Sequence, residues 1–581
     1  MRLRGAEAVV RTLEELGIEV AFGMCGHGNL ALLDALIDSP IRFISVHHEQ
    51  VAVHAADAYF RLTGRPAVVV TTLGPGMLNT ATGLGDAALD GSAVIVISGD
   101  VPSRFTGLGS YQELEMHASA SQIEVTRPLT KRSYRVGDPA ALAYTVRQAW
   151  RESTSGCPGP VHVHIPLDLL STEVEHQVLL QSIPQRPALA DSTAEAIIDQ
   201  VAEAKRPVLY AGGGVLSAAA WEELRELAEV LQVPVATSMI AQGAMPERHP
   251  LALGFTGAVG VRPANAAVKE ADLVVAVGTR FPEMDSSSWR SSKFLDPARC
   301  RLVHIDIDSR PLYRTYNPVV SAVADAREAL GMLLQAAKRR GTTSREAYLR
   351  EIETTRQAWQ DELQVLEADE SFPIQPPRLI RALREILPDN SVLVAGVGVR
   401  HMVGQHYPVL QPRTMLVASG FSTMGWESGA TLGAAVAVPG TRVVGLIGDG
   451  ALNSTVTALP TAVAEGINAL WVILDNGGYQ SIAVYQDRQY GRRIGTDFVQ
   501  ALDGEPYRID YVALARAYGA AGERVTASDR VDDGLRRGFS HPGNYLIEVP
   551  TAGHSPALAS GQWDVNTIAA GEPDLLPATL G

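Results

Sequence analysis

Hydrophobic residues occur along this chain in short, nearly unbroken runs, and a polar or glycine-rich turn follows most of them. Runs of this kind are typical of strands that are buried on both faces, as in a parallel sheet. The segments between them have helical length and, as in residues 6–16, apolar positions at helical spacing. The pattern predicts an α/β protein built from doubly wound parallel sheets. The clearest strands in the first part of the chain are 41–46, 67–72, 92–98 and 161–165.

Similar strand-turn-helix content recurs three times, which agrees with the three or four domains that 581 residues allow. The predicted domains are residues 1–175, 191–345 and 376–552. Residues 176–190 have the composition of a linker, and the charged segment 342–375 is predicted to hold a long surface helix. A tail rich in Gly, Pro and Ala follows at 553–581 and is a candidate lid over an active site.

Residues 443–479 contain two apolar runs joined by a segment of crossover-helix length, which predicts a βαβ unit. Both strands of such a unit end at the edge where open α/β sheets place ligands, so Asp449 and Asn476 are expected to come together. A carboxylate, an amide oxygen and a turn carbonyl, for which Gly478 is the candidate, suit Mg²⁺ holding a diphosphate. The alternative is an ordinary strand-end turn, since such turns favour Gly and Asp anyway.

Composition narrows the class of protein. Hydrophobic residues make up 46% of the chain and charged residues 19%, which is typical of a packed globular enzyme. The net charge of −15 argues against a nucleic-acid partner, which would favour a basic surface. Three widely spaced cysteines without a CxxC pair indicate a reducing compartment and no structural zinc. With neither a signal-peptide pattern nor a membrane-spanning run, we expect a cytoplasmic protein without a membrane partner.

Polar or glycine-rich turns also follow three strands of the first domain, and all three are expected at one edge of its sheet. Glu49 begins a predicted helix, where an acidic residue can serve acid–base chemistry or simply stabilise the helix N-terminus. His27 can be an acid–base or oxyanion-binding group, or only a hydrogen-bonded turn residue. The candidate site residues in these turns are His27, Glu49, Gly74, Pro75 and Asn79.

Gly448-Asp449-Gly450, followed at this spacing by Asn476, resembles the signature of thiamine diphosphate (ThDP) enzymes. The resemblance to the acetolactate synthase, pyruvate oxidase and decarboxylase superfamily covers nearly the whole chain. Asp475 departs from it, because the family has the first of two asparagines there. The resemblance implies pyrimidine-binding, central and diphosphate-binding domains, with ThDP and Mg²⁺ as cofactors. It also implies a small-molecule substrate and a homodimer or homotetramer with active sites at the subunit interface.

The resemblance assigns roles to residues of the first domain. Glu49, in a His-Glu-Gln motif, would exchange a proton with N1′ of the cofactor's aminopyrimidine. Gly74, Pro75 and Asn79 match a turn that packs on the cofactor near the pyrimidine. Gln112 matches a glutamine near the active site of acetolactate synthases.

In the third domain, the resemblance concerns residues 418–427 and the turn after the metal ligands. Met424 matches an apolar wedge beneath the bent cofactor, and backbone groups from Ser422 onward would bond the aminopyrimidine. Tyr479 follows the metal turn and would contact the cofactor. Turns of the central block, such as residues 212–214, border FAD in some family members, but a glycine-rich turn alone is weak evidence, so FAD is possible but not favoured.

ThDP turns a carbonyl carbon into a nucleophile, so the predicted reaction makes or breaks a C–C bond beside a carbonyl. Local similarity at residues 26–29, 420–427 and 475–479 favours a lyase or hydrolase resembling trihydroxycyclohexane-1,2-dione hydrolase. One alternative is a carboligase of the acetolactate synthase type, although Tyr485 stands where that group has a tryptophan. The others are a 2-hydroxyacyl-CoA lyase, in which a C-terminal tail covers the site, and a degenerate regulatory subunit.

Overall fold

The computed structural model describes residues 1–114, 121–178, 185–341, 343–553, 558, 560, 561 and 563. Within these residues the chain forms three parallel sheets of six strands each and one small antiparallel pair of strands. The predicted α/β fold with three doubly wound sheets is confirmed. No helix in the described part of the chain is long and apolar enough to cross a membrane.

The first domain holds the sheet with the order β3-β2-β4-β5-β7-β6. The six strands of this sheet are β2 Val20–Gly23, β3 Arg42–Ser45, β4 Ala67–Thr71, β5 Val94–Asp100, β6 Arg132–Arg135 and β7 Val161–Pro166. The small antiparallel pair consists of β1 Arg2–Arg4 and β8 Glu173–Glu175. Its helices are α1 Gly5–Glu15, α2 Leu30–Ile37, α3 Glu49–Thr63, α4 Pro75–Leu78, α5 Ala81–Asp90, α6 Gln122–Thr126, α7 Leu142–Thr154 and α8 Leu167–Ser171. Alternate residues of β4 and β5 pack into different cores, one with α1 and α7 and one with α3 and α5, so helices cover both faces.

The central domain has the order β11-β10-β9-β12-β13-β14, the arrangement of dinucleotide-binding folds. Its strands are β9 Pro207–Ala211, β10 Val235–Thr237, β11 Ala252–Phe255, β12 Leu273–Val277, β13 Arg301–Asp306 and β14 Val320–Val323. Its helices are α9 Asp191–Glu203, α10 Gly213–Ser217, α11 Trp221–Leu231, α12 Arg262–Glu270 and α13 Ala326–Arg340. A side chain on Gly212 would overlap the backbone of Gly278, so packing alone accounts for that glycine.

The third domain repeats the strand order of the first, as β16-β15-β17-β18-β20-β19. Its strands are β15 Val392–Ala395, β16 Met415–Val417, β17 Val443–Gly448, β18 Ala469–Asp475, β19 Ala521–Arg524 and β20 Tyr545–Pro550. The long helix α14, Glu346–Glu367, precedes it. Its own helices are α15 Pro376–Ile386, α16 Arg400–His406, α17 Trp426–Ala437, α18 Asp449–Thr455, α19 Ala458–Ala464, α20 Gln480–Tyr490, α21 Tyr511–Ala517 and α22 Val531–Ser540.

The crossover between β17 and β18 consists of two short helices, whereas the sequence pattern predicted one. The interruption between α18 and α19 has a local cause. Pro460 has no N–H to donate to the preceding turn, and its ring is tolerated only in the first turn of a helix. The structure accordingly starts α19 two residues before Pro460.

The first and third domains pack together along α3 and α17. The two helices approach so closely that a side chain on Gly433 would overlap the carbonyl oxygen of Ala55. A buried hydrogen bond of 2.7 Å joins Trp426 Nε1 to an Asp57 carboxylate oxygen across the same interface. The helix that begins with Glu49 is therefore held by the third domain of its own chain.

Candidate active site

The turns after β17 and β18 lie side by side at the carboxyl edge of the third sheet. Asp449 begins α18, and its Oδ2 accepts the N–H groups of Asn476 at 3.2 Å, Gly477 at 2.7 Å and Gly478 at 3.2 Å. The side chain is almost fully buried, and this burial raises the pKa of Asp449 to about 6. The structure thus brings together two turns that the sequence pattern predicted to meet.

The residues of this turn pair fit Mg²⁺ and a diphosphate. Asn476 Oδ1 is buried and has no hydrogen-bond partner in the described part of the chain. An unpaired buried amide oxygen costs about 1–3 kcal/mol, and a metal ion would satisfy it. Gly450 leaves room for the ring of Tyr479, because a Cβ there would lie 2.5 Å from Tyr479 Cε1. Carboxylate and amide oxygens are ligands that Mg²⁺ accepts, and the assignment of Gly478 as a third ligand stays a prediction.

Asp475, which departs from the family motif, has a separate role in the structure. It ends β18, is buried, and pairs with Arg508 at 3.2 Å and with Arg524 at 3.5 Å. The two guanidinium groups compensate its charge. The extra carboxylate therefore belongs to an ion-pair cluster at the sheet edge.

The strand-end turns of the first domain also converge. Glu49 is 5% exposed at the start of α3, and its Oε2 accepts a hydrogen bond of 2.9 Å from Asn79 Nδ2. A Cβ on Gly76 would lie 2.9 Å from the other oxygen, Oε1. The absence of a side chain at Gly76 thus leaves space beside Oε1 for a ligand. Pro75 begins the short helix α4 that connects Gly74 to Asn79.

Gly74 and Gln112 meet backbone to backbone. Gly74 has φ +58° and ψ −115°, which a side chain would strain, and a Cβ there would lie 2.5 Å from the Gln112 carbonyl oxygen. Gln112 itself has φ +63°, and its buried Oε1 has no hydrogen-bond partner among the described residues. The exposed ring of His27 lies 5.4 Å from that of Tyr111. His27 and Gln112 therefore occupy the same edge as Glu49, and their catalytic roles stay predictions.

The turn that carries Met424 is held rigidly. Ser422 has φ +61°, and its hydroxyl accepts from Arg400 Nη1 at 2.9 Å and donates to the Ser419 carbonyl at 2.7 Å. Met424 is nevertheless 43% exposed. A large apolar side chain left exposed on a fixed turn is what the wedge role requires.

The sequence pattern missed the residues that hold this turn. Asp90, at the end of α5 in the first domain, accepts the N–H groups of Ser419 at 3.0 Å and Gly420 at 2.7 Å. Arg61 pairs with Asp90 at 2.9 Å and compensates its buried charge. In the sequence these residues read as the solvated face of a helix, and no local signal distinguishes them.

The described residues of the tail contact the central and third domains. Trp563 Nε1 donates to Glu283 at 3.1 Å, and the Trp563 ring meets Tyr485 edge-on at 5.5 Å. Ser560 accepts from Asn265 Nδ2 at 2.7 Å. Most of the predicted lid, including 564–581, lies outside the described residues.

Three family models match the chain in the order of its domains. They are "Thiamine pyrophosphate enzyme, N-terminal TPP binding domain" over residues 3–122, the central domain over 194–333, and the C-terminal TPP binding domain over 396–549. The chain belongs to the thiamine pyrophosphate enzyme family. Thiamine pyrophosphate is another name for thiamine diphosphate, so the prediction of a ThDP-dependent enzyme is confirmed.

Several relatives match this thiamine pyrophosphate enzyme over nearly its full length. A "Probable acetolactate synthase large subunit" of Methanocaldococcus jannaschii is 32% identical, with 94% of this chain and 92% of the relative covered. An "Acetolactate synthase large subunit" of Corynebacterium glutamicum is 33% identical over 91% and 84% of the two chains. "Acetolactate synthase 2, chloroplastic" of Zea mays is 33% identical over 96% and 87%.

These relatives correct the predicted reaction. The lyase or hydrolase resembling trihydroxycyclohexane-1,2-dione hydrolase was the wrong choice, and the carboligase kept as its alternative is better supported. One feature that favoured the hydrolase was Asp475. Its carboxylate is engaged by Arg508 and Arg524, so a structural ion pair accounts for it without a special reaction.

The role of Asn476 in cofactor binding can be tested directly. We expect Asn476→Leu to weaken Mg²⁺-supported ThDP binding about tenfold or more, because the substitution removes a ligand oxygen and keeps the volume. A near-UV circular dichroism titration with ThDP and Mg²⁺ measures the affinity. Asn390→Leu is the control, since Asn390 is exposed in the loop between α15 and β15. Equal affinities for the two variants would contradict the assignment.

Proposed function

We propose that this protein is a carboligase of the acetolactate synthase type. It would join two 2-keto acids, such as two pyruvates, with loss of CO₂ and uptake of one proton. The observation that carries the proposal is the identity of 32% over 94% of the chain to a relative named as an acetolactate synthase. Similarity over all three domains includes both halves of the site, so the proposal does not depend on one motif.

The residues divide the work between binding and proton transfer. ThDP, when bound, supplies the carbon nucleophile of the reaction. Asp449, Asn476 and Gly478 would hold Mg²⁺ and through it the diphosphate. Glu49 would hold the mobile proton at Oε1, because its Oε2 already accepts from Asn79.

The remaining predicted residues orient the cofactor and the substrate. Met424 would support the cofactor from the third domain, and the bond from the Ser422 hydroxyl to the Ser419 carbonyl would hold the neighbouring backbone groups in position to bind it. Tyr479 packs edge-on against Phe498 at 5.2 Å, so its ring is fixed next to the metal turn. His27 and Gln112 would face the substrate from the Glu49 side. These groups would exclude water from the substrate only when both halves of the site meet.

We also propose that the active enzyme is a homodimer or homotetramer whose sites form between subunits. Each half-site is built within one domain, Glu49 in the first and Asp449 in the third. Within one chain these two domains already meet along α3 and α17, from Val51 to Ala58 on the α3 side. A second copy of the chain would then supply the domain that completes the site.

The reaction is tested by supplying pyruvate with ThDP and Mg²⁺ and measuring pyruvate loss and acetolactate formation. We expect both to proceed with a ratio of two pyruvates to one acetolactate, as the carbon balance demands. If ThDP binds by circular dichroism but no acetolactate forms, the carboligase assignment fails while the family assignment stands.

The shared site is tested by mixing two inactive variants, Glu49→Gln and Asp449→Ala. In a hybrid dimer with sites between subunits, one site contains both substitutions and the other contains neither. Random mixing should therefore restore about a quarter of the wild-type activity, since half of the dimers carry one intact site. Sites formed within single chains would restore none.

A further inference from the structure

A hydrogen-bonded chain of buried polar side chains runs through the first domain and ends at the backbone N–H of Gly74. All of its members are 3% exposed or less: Ser98 on β5, Gln122 and Thr126 on α6, and His162 and His164 on β7. The series of hydrogen bonds starts at Gly74 N, which lies 2.6 Å from Gln122 Oε1, and Gln122 Nε2 lies 3.1 Å from His164 Nε2. On the other side of its ring, His164 Nδ1 lies 3.1 Å from Ser98 Oγ. Ser98 Oγ lies 2.6 Å from His162 Nε2, and His162 Nδ1 lies 2.9 Å from Thr126 Oγ1.

The Gly74 N–H determines the direction of the hydrogen bonds of Gln122 and His164. A backbone N–H can only donate, so the Gln122 oxygen must face Gly74 and its NH₂ group must face His164. His164 Nε2 then accepts, and its Nδ1–H donates to Ser98. Ser98 Oγ also contacts His162 Nε2, and His162 Nδ1 contacts the Thr126 hydroxyl; which atom donates in these two bonds depends on the tautomer of His162. His164 is therefore neutral and carries its proton on Nδ1.

Burial keeps both His162 and His164 neutral. It lowers the pKa of His162 well below the usual range and that of His164 to about 3. His164 Nε2 also lies 3.3 Å from Asp100 Oδ2, and Arg135 holds that carboxylate at 3.2 Å. If His164 donated to Asp100 instead, its N–H would face the NH₂ of Gln122, and the amide would have to turn away from Gly74. The bond to Gly74 thus selects one arrangement of the Gln122 amide and the His164 ring.

Gly74 is the first residue of the turn that leads to Asn79 and, through Asn79, to Glu49. Its carbonyl accepts the N–H of Leu78 at 2.9 Å, and Pro75 accepts the N–H of Asn79 at 3.0 Å. Asn79 in turn donates to Glu49. Because glycine populates positive and negative φ about equally, the bond to Gln122 helps to hold Gly74 at its positive φ.

We propose that Gln122 is a positioning residue for Glu49, that it acts through Gly74 and Asn79, and that the His164-Ser98-His162-Thr126 chain fixes the orientation of its amide. The inference rests on the proposed role of Glu49 in proton exchange. A misplacement of about 1 Å at a reacting group can cost about a hundredfold in rate, so a lost anchor beneath the turn should be measurable.

The test compares Gln122→Met, which removes both polar atoms, with Gln122→Glu, which keeps an acceptor for Gly74. Gln405→Met is the matched control, because Gln405 is also buried but bonds the Val259 carbonyl at the boundary with the central domain. The readouts are kcat and KM, and hydrogen–deuterium exchange at C2 of bound ThDP by NMR, which needs no substrate. Thermal unfolding of each variant reports whether it is folded.

We expect Gln122→Met to lower the exchange rate and kcat about ten- to a hundredfold with little change in pyruvate KM. Gln122→Glu should recover part of both, and Gln405→Met should change neither. Exchange in Gln122→Met within twofold of the wild type would overturn the inference, as would equal losses in the Gln405→Met control. A wild-type enzyme that binds ThDP without C2 exchange would overturn the role of Glu49 as well. Normal exchange without acetolactate would overturn only the proposed reaction.

Discussion

Replacing Glu49 with glutamine is expected to lower turnover by about 10²- to 10⁴-fold while ThDP still binds. Glutamine keeps the size of the side chain and can still meet Asn79, so the site should retain its shape. It cannot take up and return a proton at Oε1, which faces the space above Gly76. Loss of turnover, with loss of C2 exchange, would therefore report the missing proton transfer itself.

Glu346→Gln is the matched control for this substitution. Glu346 also occupies the first position of a helix, α14, but it is exposed and pairs with Arg350 of the same helix. If Glu49 only stabilised a helix N-terminus, both variants should lose a similar small stability, about 0.3–1 kcal/mol, and no activity. Unchanged C2 exchange in Glu49→Gln would refute its assigned role.

Replacing Gly433 with alanine is expected to lower the free energy of unfolding by about 1–3 kcal/mol. The new Cβ would overlap the carbonyl oxygen of Ala55 on α3, and neither helix backbone can move without opening the contact between the domains. Because α3 begins with Glu49, activity should fall together with stability. Thermal and urea unfolding measure the stability loss.

The same substitution at another position, Gly331→Ala, is expected to have the opposite effect on stability. Gly331 lies within α13, and a Cβ there would have nothing within 4 Å. Alanine in an open helix position should raise stability by about 0.5–1 kcal/mol, because glycine loses more chain entropy on folding. Equal midpoints for the two variants would mean that the α3–α17 contact does not hold these helices together.

Much of the fold and part of the site follow from local pattern. Apolar runs separated by turns predict parallel βα units, and parallel strands place their following turns at one edge. That reasoning placed Asp449 beside Asn476 and placed the turns with Glu49 and Asn79 on one edge of the first sheet, as the structure has them. ThDP dependence came from the resemblance of Gly448-Asp449-Gly450 and Asn476 to the family signature, and the family models confirm it.

Reasoning from local motifs chose the wrong reaction. Asp475 favoured a hydrolase because the turn at 475–479 resembles that of trihydroxycyclohexane-1,2-dione hydrolase. Its partners, Arg508 and Arg524, come from segments far along the chain, and only their arrival at the edge of β18 shows why a carboxylate stands there. A short motif describes which residues are adjacent, but the charge that a side chain meets depends on distant segments.

By itself, the sequence determined three doubly wound domains, the meeting of the turns that carry Asp449 and Asn476, and a glutamate at a helix start, because each depends on residues close together in the chain. The tertiary structure alone decided which groups hold these parts in place. Gln122 reaches Gly74, and Asp90 reaches Ser419, across gaps that no periodicity spans. The reason is physical: hydrophobic pattern sets which face of an element is buried, whereas hydrogen bonds between elements depend on how the buried faces meet.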